Sequence, residues 1–161
     1  MNNELKIKIE KVVVNSGIGR LTQQANFSDK ILPDVIKEFA EITGQKPELR
    51  EAKKSIAGFK IREGMTVGLK ATLRGSRMEA FLQKLIHVVL PRVRDFRGLD
   101  KKAVDEHGNL TIGVKENIVF PEISAEISRV SFGMEITIVP KLQKRESALE
   151  IYAEMGVPFK K

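Results

Sequence analysis

The sequence predicts an α+β fold: a single two-layer domain over residues 1–161, with a mostly antiparallel sheet, helices on one face of it and the other face exposed. Three observations carry this. The segment "MTVGLKATLRG", Met65 to Gly75, alternates strictly between apolar and polar residues. Segments of helical period are interspersed with strand-like ones rather than alternating regularly with them. The length of 161 residues suits one core of ordinary size.

Taken in order, "KIKIEKVVVNSGIG" alternates and then becomes a β-branched run, which predicts a strand from Lys6 to Asn15 ended by Gly17 and Gly19. "FSDKILPDVIKEFAEITG" puts Ile31, Val35, Phe39 and Ile42 on one helical face. Ser28 or Asp29 is placed to cap that helix, Pro33 fits only near its first turn, and Gly44 stops it. "QKPELREA" reads as a short edge strand, because Pro47 lacks a donor for a central ladder.

In the Met65–Gly75 strand, Met65, Val67, Leu69, Ala71 and Leu73 point one way. Thr66, Gly68, Lys70, Thr72 and Arg74 point the other. The first face needs helices over it. The second carries hydroxyls and charge of one sign. A polar sheet face is usually just wet, but this one has what a phosphate-facing surface needs. "SRME" reads as a capping box, with Ser76 as cap and Glu79 reaching back. The helix runs on through Phe81, Leu82, Leu85, Ile86 and Val89 until Pro91 kinks or breaks it, and Gly98 ends the segment after Pro91. "DEHGN" is a turn, "LTIGV" and "GMEITIV" are strands, and "KRESALEIYAEMG" is a last amphipathic helix closed by Gly156.

Net charge is +7, from 28 basic and 21 acidic residues. Its distribution is uneven. Residues 1–45 hold 6 of each sign, residues 46–102 hold 15 basic and 6 acidic, and residues 103–161 hold 7 basic and 9 acidic. The whole excess sits in the middle segment, at net +9. A spread excess would read as a solubility charge; a concentrated one attracts a polyanion. Within it, "AKKSIAGFKIREG" surrounds an apolar centre, Ile56 to Phe59, with Lys53, Lys54, Lys60 and Arg62. "PRVRDFRG" sets Arg92, Arg94 and Arg97 around Phe96. Guanidinium groups fork onto phosphate and stack on bases, although one arginine alone could simply complement a helix C-terminus.

Other chemistries find little support. With zero Cys, disulfides, thiolate metal sites and Cys nucleophiles drop out together. No apolar run approaches the roughly 18 residues of a membrane span, and the opening residues lack a signal-peptide layout; these point to a soluble, intracellular protein. "NSGIGR" follows a strand, but a dinucleotide fingerprint needs glycine where Thr22 stands, so a glycine turn is the better reading. His87 sits in an apolar helical segment and His107 in a turn, with no paired-ligand spacing. Nothing joins a nucleophile, a base and an orienting group. No metal, cofactor, small-molecule substrate or catalysis is expected.

Across the chain, "VVVNSGIG", "TGQKPELREAKKSIAGFKIREG", "TLRGSRMEAFLQKL", "LPRVRDFRGL", "HGNLTIGVKE", "FPEI" and "GVPF" occur in order. Together they resemble the bacterial-type large-subunit ribosomal protein five family, the 5S rRNA-binding protein of the central protuberance. The resemblance implies an α+β domain whose exposed sheet face holds 5S rRNA and helps seat it on the large subunit. It implies 23S rRNA, neighbouring 5S-associated ribosomal proteins, peptidyl-site tRNA and a small-subunit head protein as further partners, and a cytoplasmic, ribosome-bound location. Carried over, the rRNA-binding residues are Asn15, Gln45, Thr72 and Arg74, with Lys70 and Arg77 beside them. Thr72 and Arg74 already stand on the polar face by alternation; Asn15 and Gln45 come from the resemblance. The tRNA-contacting loop matches Lys53 to Gly64, with Lys53, Lys54, Ser55, Gly58, Phe59, Lys60 and Arg62. An intersubunit bridge surface matches Arg92, Arg94, Arg97 and His107.

The chain departs from the family in two places. Family members open with a helical segment before the first strand, whereas here that strand is expected almost at Met1. The turn reads "VDEHGN", so a basic contact of the family is replaced and Glu106 opposes anion binding there.

Overall fold

The computed structural model describes residues 8–126, 128–142 and 144–160. Five strands form one antiparallel sheet: β1 (Ile9–Gly17), β2 (Glu48–Glu51), β3 (Thr66–Leu73), β4 (Leu110–Val114) and β5 (Met134–Pro140), in the order β2-β3-β1-β5-β4. Among the described residues, three helices of 10 residues or more accompany it: α1 (Leu32–Thr43), α2 (Gly75–Lys84) and α3 (Arg145–Glu154). The fold is therefore α+β, as the sequence predicts.

Period-two alternation decides the layering. Val12 and Val14 of β1, Leu69, Ala71 and Leu73 of β3, Ile112 of β4 and Ile136 and Ile138 of β5 are buried together with Val35 and Phe39 of α1, Phe81 and Leu82 of α2, and Ile151 and Tyr152 of α3. All three helices thus share the core on the sheet's apolar face. Burying an apolar side chain of this size is worth about 1.5–3 kcal/mol. The intervening residues form the open face: Lys11, Val13 and Asn15, Lys70 and Thr72, Thr111 and Gly113, Glu135 and Thr137.

Several boundaries differ from the expectation. The first strand runs through Asn15 to Gly17, because Gly17 pairs with Gly68 of β3; Lys6 lies outside the described residues. Neither Ser28 nor Asp29 caps α1. The chain enters that helix through a π-helical turn, Phe27–Ile31, after Asn26 in the left-handed region, and no side chain bonds there. Pro33 does sit in the first turn, and Gly44 ends the helix at φ 68. The edge position of β2 follows Pro47 as expected. The alternation of β3 is sharp only from Leu69 onward; Val67 is half-buried and Met65 precedes the strand.

The capping box is absent. Gly75, at φ +60, lets the helix begin one residue before Ser76, so Arg74 occupies the N-cap position and no side chain caps it. Ser76 falls in the first turn, and Glu79 is buried. After α2 the helix continues through a π-helical turn, Leu85–Val89, and a last turn, Leu90–Arg92. The irregularity thus precedes Pro91 rather than following it. Pro91 lacks an N–H and its ring crowds the carbonyl four residues back, which opens the ladder in the turn before it.

Candidate nucleic-acid interface

Four of the six expected rRNA-binding residues converge at one end of the open face. Gln45, Thr72, Arg74 and Arg77 line a shallow recess of about 670 Å³ with Gly75 and Ser76. Gln45 comes from the loop after α1, Thr72 from the end of β3, and the two arginines from the start of α2. The Gln45 amide donates to the Thr72 carbonyl at 3.4 Å, and its oxygen accepts from Arg77 at 3.5 Å. The α2 N-terminus lies at this recess, with Arg74 in the N-cap position and making no side-chain cap bond. Two guanidinium groups beside a helix N-terminus have the chemistry to attract an anion.

Asn15 and Lys70 lie one row further along, directly opposite each other across β1 and β3. That row continues to Glu48 of β2 on one side and to Glu135 and then Gly113 on the other. The open face therefore does not carry one sign of charge. Single-strand alternation gave cations only; neighbouring strands bring two carboxylates into the same row. Glu48 is held by Arg50 at 3.1 Å. The adjacent row, Thr72–Val13–Thr137–Thr111, is neutral, and its Thr137 and Thr111 hydroxyls sit 3.4 Å apart.

Lys53 to Gly64 is an exposed excursion between β2 and β3. It closes at its base, where Ala52 N–H donates to Met65 O at 2.8 Å and Gly64 N–H to Ala52 O at 2.9 Å. Its tip is a small hairpin of its own: Ile56 and Ile61 exchange both backbone hydrogen bonds around a 3-10 turn, Ala57–Phe59. The Ser55 hydroxyl accepts from Glu63 N–H at 2.9 Å. Ile56 is 46% exposed and Phe59 64% exposed, so neither belongs to the core. The Gln23 amide, in the turn that follows "NSGIGR", donates to the Phe59 carbonyl at 3.2 Å. Left-handed backbone occurs at Lys60 and Gly64, not at Gly58. The loop thus presents Lys53, Lys54, Lys60 and Arg62 on an ordered frame.

The expected bridge residues occupy two separately anchored segments. Arg92, Arg94 and Arg97 are exposed, with Phe96 packed against the core between them. Gly98, at φ +93, lets this segment lie against the C-terminal residues: a Cβ there would stand 2.9 Å from Lys160 N, and Leu99 pairs with Phe159. His107 is exposed in the turn between Val104 and Leu110. Asp105 organises that turn by accepting from His107 N–H at 2.9 Å and Asn109 N–H at 2.8 Å. Burial raises the Asp105 pKa, but the hydrogen bonds from Asn109 and His107 outweigh it and hold the carboxyl below its ordinary value. The Tyr152 hydroxyl donates to Gly108 O at 2.7 Å and ties the turn to α3. Burial pushes the Tyr152 pKa well up.

His87 is exposed on the π-helical turn, and among the described residues no group of carboxylates and histidines could hold a metal ion. No helix there is long and apolar enough to cross a membrane. "NSGIGR" leads into a 3-10 turn, Leu21–Gln23, rather than into a dinucleotide-binding helix.

Two family models and several curated relatives match the chain. The family described as "Ribosomal protein L5" matches residues 2–62, and the "ribosomal L5P family C-terminus" matches residues 66–159. The chain is 51% identical over 155 residues to the large ribosomal subunit protein uL5 of Oceanobacillus iheyensis, covering 96% of this chain and 84% of that one. It is also 51% identical over 154 residues to the protein of the same name from Macrococcus caseolyticus, with the same coverage. Matches of this extent place the chain in the ribosomal protein L5 family.

Proposed function

We propose that the protein binds 5S rRNA through its open sheet face and seats that RNA on the large ribosomal subunit. As a family member it is a structural constituent of the large subunit, ribosome-bound in the cytoplasm, with no catalysis of its own. The observation that carries the 5S rRNA reading is the convergence of Gln45, Thr72, Arg74 and Arg77 at the uncapped start of α2. Arg74, Arg77 and Lys70 neutralise phosphates, while Thr72, Asn15 and Gln45 contact sugars and base edges. The whole chain acts as one RNA-binding unit, also facing 23S rRNA and the neighbouring 5S-associated proteins.

The Lys53–Gly64 loop contacts peptidyl-site tRNA. Its exposed cations suit a phosphate backbone, and Phe59 offers an apolar ring to a ribose or base. The exposed Arg92, Arg94 and Arg97, with the His107 turn, form the bridge surface toward a small-subunit head protein. The experiment is competition binding. The purified protein should prefer 5S rRNA over a tRNA at matched salt, and co-sediment with large subunits after a high-salt wash. Equal affinity for both RNAs would reduce the reading to that of a general RNA binder.

A further inference from the structure

Glu135 stands where a polyanion-binding face should not carry it. It is exposed in β5, in register with Asn15 of β1 on one side and Gly113 of β4 on the other. Among the described residues its carboxylate makes no ion pair or hydrogen bond. Glu48, the other acid in the row, is already engaged by Arg50. Against a phosphate, the unengaged Glu135 would only repel. Against a hydrogen-bond donor it would attract, and folded RNA offers two kinds, the ribose 2′-hydroxyl and the N–H groups on the edges of unpaired bases, of which only a base edge can present two adjacent donors to one carboxylate.

The neighbours of Glu135 select the base. Side chains directly opposite on one face of an antiparallel pair have Cβ atoms about 4.5–5.5 Å apart, close enough for the Asn15 amide and the Glu135 carboxylate to act on one planar ring. Gly113 leaves the next position bare: a Cβ built there would meet nothing within 4 Å. Asn15, Gly113, Gly133 and Glu135 border a shallow recess of about 420 Å³. A carboxylate is best satisfied by two adjacent donors. Guanine offers N1–H and the N2 amino group side by side, with O6 beside them to accept from the Asn15 amide. Adenine and cytosine set a ring-nitrogen acceptor next to their amino group, and uracil flanks one N–H with two carbonyls. We infer that Glu135, with Asn15, reads the Watson–Crick edge of an unpaired guanine in the RNA docked on this face. The inference rests on the reading of the open face as the RNA site.

The test compares binding of 5S rRNA and of a tRNA by the full-length wild-type protein and by Glu135→Gln, Glu135→Lys and Arg74→Ala. Attraction between net charges predicts that Glu135→Lys tightens both RNAs, since it replaces an anion with a cation. Guanine reading predicts the reverse for 5S rRNA: both Glu135 variants bind it roughly ten- to hundredfold more weakly. For Glu135→Gln, tRNA binding does not weaken, so the preference for 5S rRNA falls. A tighter complex with Glu135→Lys, or wild-type 5S rRNA affinity for Glu135→Gln, would overturn the inference; the second result is also expected if Glu135 faces a protein neighbour. Arg74→Ala separates the two readings: if it too leaves 5S rRNA binding unchanged, the open face itself is not the RNA site.

Discussion

The Gln45 side chain donates to the backbone carbonyl of Thr72 at 3.4 Å and accepts from Arg77 at 3.5 Å, linking the loop after α1 to the end of β3 and the start of α2. Through these contacts the loop after α1 and the Arg74–Arg77 segment become walls of one recess. Arg74 itself is exposed and carries no helix cap, so its loss should be felt by a ligand rather than by the fold. Arg74→Ala is expected to weaken 5S rRNA binding by about 1–3 kcal/mol with an unchanged thermal transition. Its neighbour Leu73 is fully buried, and Leu73→Asp should unfold the protein by burying an unpaired charge. Circular dichroism and a filter-binding titration separate the two outcomes.

Binding should weaken linearly in log affinity against log salt, because several cations replace counterions on phosphate. Lys70→Ala should lower that slope by about one. A flat response in the wild type would mean that the central cationic segment serves solubility alone.

The 53–64 loop closes on itself at Ala52, Gly64 and Met65. Deleting Ser55–Ile61 should therefore leave stability and 5S rRNA affinity close to wild type, while tRNA dissociates faster from reconstituted ribosomes. Half-buried Ile61, against Gly19, and the Gln23 contact are the parts of the frame that the deletion removes. Loss of the cooperative melting transition would instead make the loop part of the core.

Tyr152 is the single tyrosine of the chain, and Trp is absent, so its ionisation can be followed directly by tyrosinate absorbance. Burial raises its pKa above the ordinary 10.0. A group whose folded pKa is raised stabilises the fold fully below its unfolded pKa and loses that contribution as pH rises through the folded one. Alkaline destabilisation should begin near pH 10. Tyr152→Phe should flatten that fall, while costing about 0.5–1.5 kcal/mol at neutral pH through the lost bonds to Gly108 and Ile138. Denaturant melts of both proteins across alkaline pH would check the sign.

Features set by neighbouring residues were legible in the sequence. The two faces of β3 follow from alternation, the edge position of β2 from Pro47, and the end of α1 from Gly44. Features set by pairing at a distance were not. The row that joins Lys70, Asn15 and Glu135 depends on register across three strands, so the mixed charge of the open face could not be read from one strand. Asn15 entered through family resemblance, yet its alternation with Lys11 and Val13 already placed it on the outer face. The missing capping box has a local cause that pattern reading overlooks: Gly75 tolerates φ +60 and moves the helix start.

The most direct test maps ultraviolet crosslinks between the purified protein and 5S rRNA to individual residues. Crosslinked peptides should cluster on the open face and its rim, at Asn15, Gln45, Lys70, Thr72, Arg74 and Arg77. Crosslinks confined to the 53–64 loop, or lying on the outer surfaces of the helices, would contradict the assignment of the sheet as the 5S rRNA site.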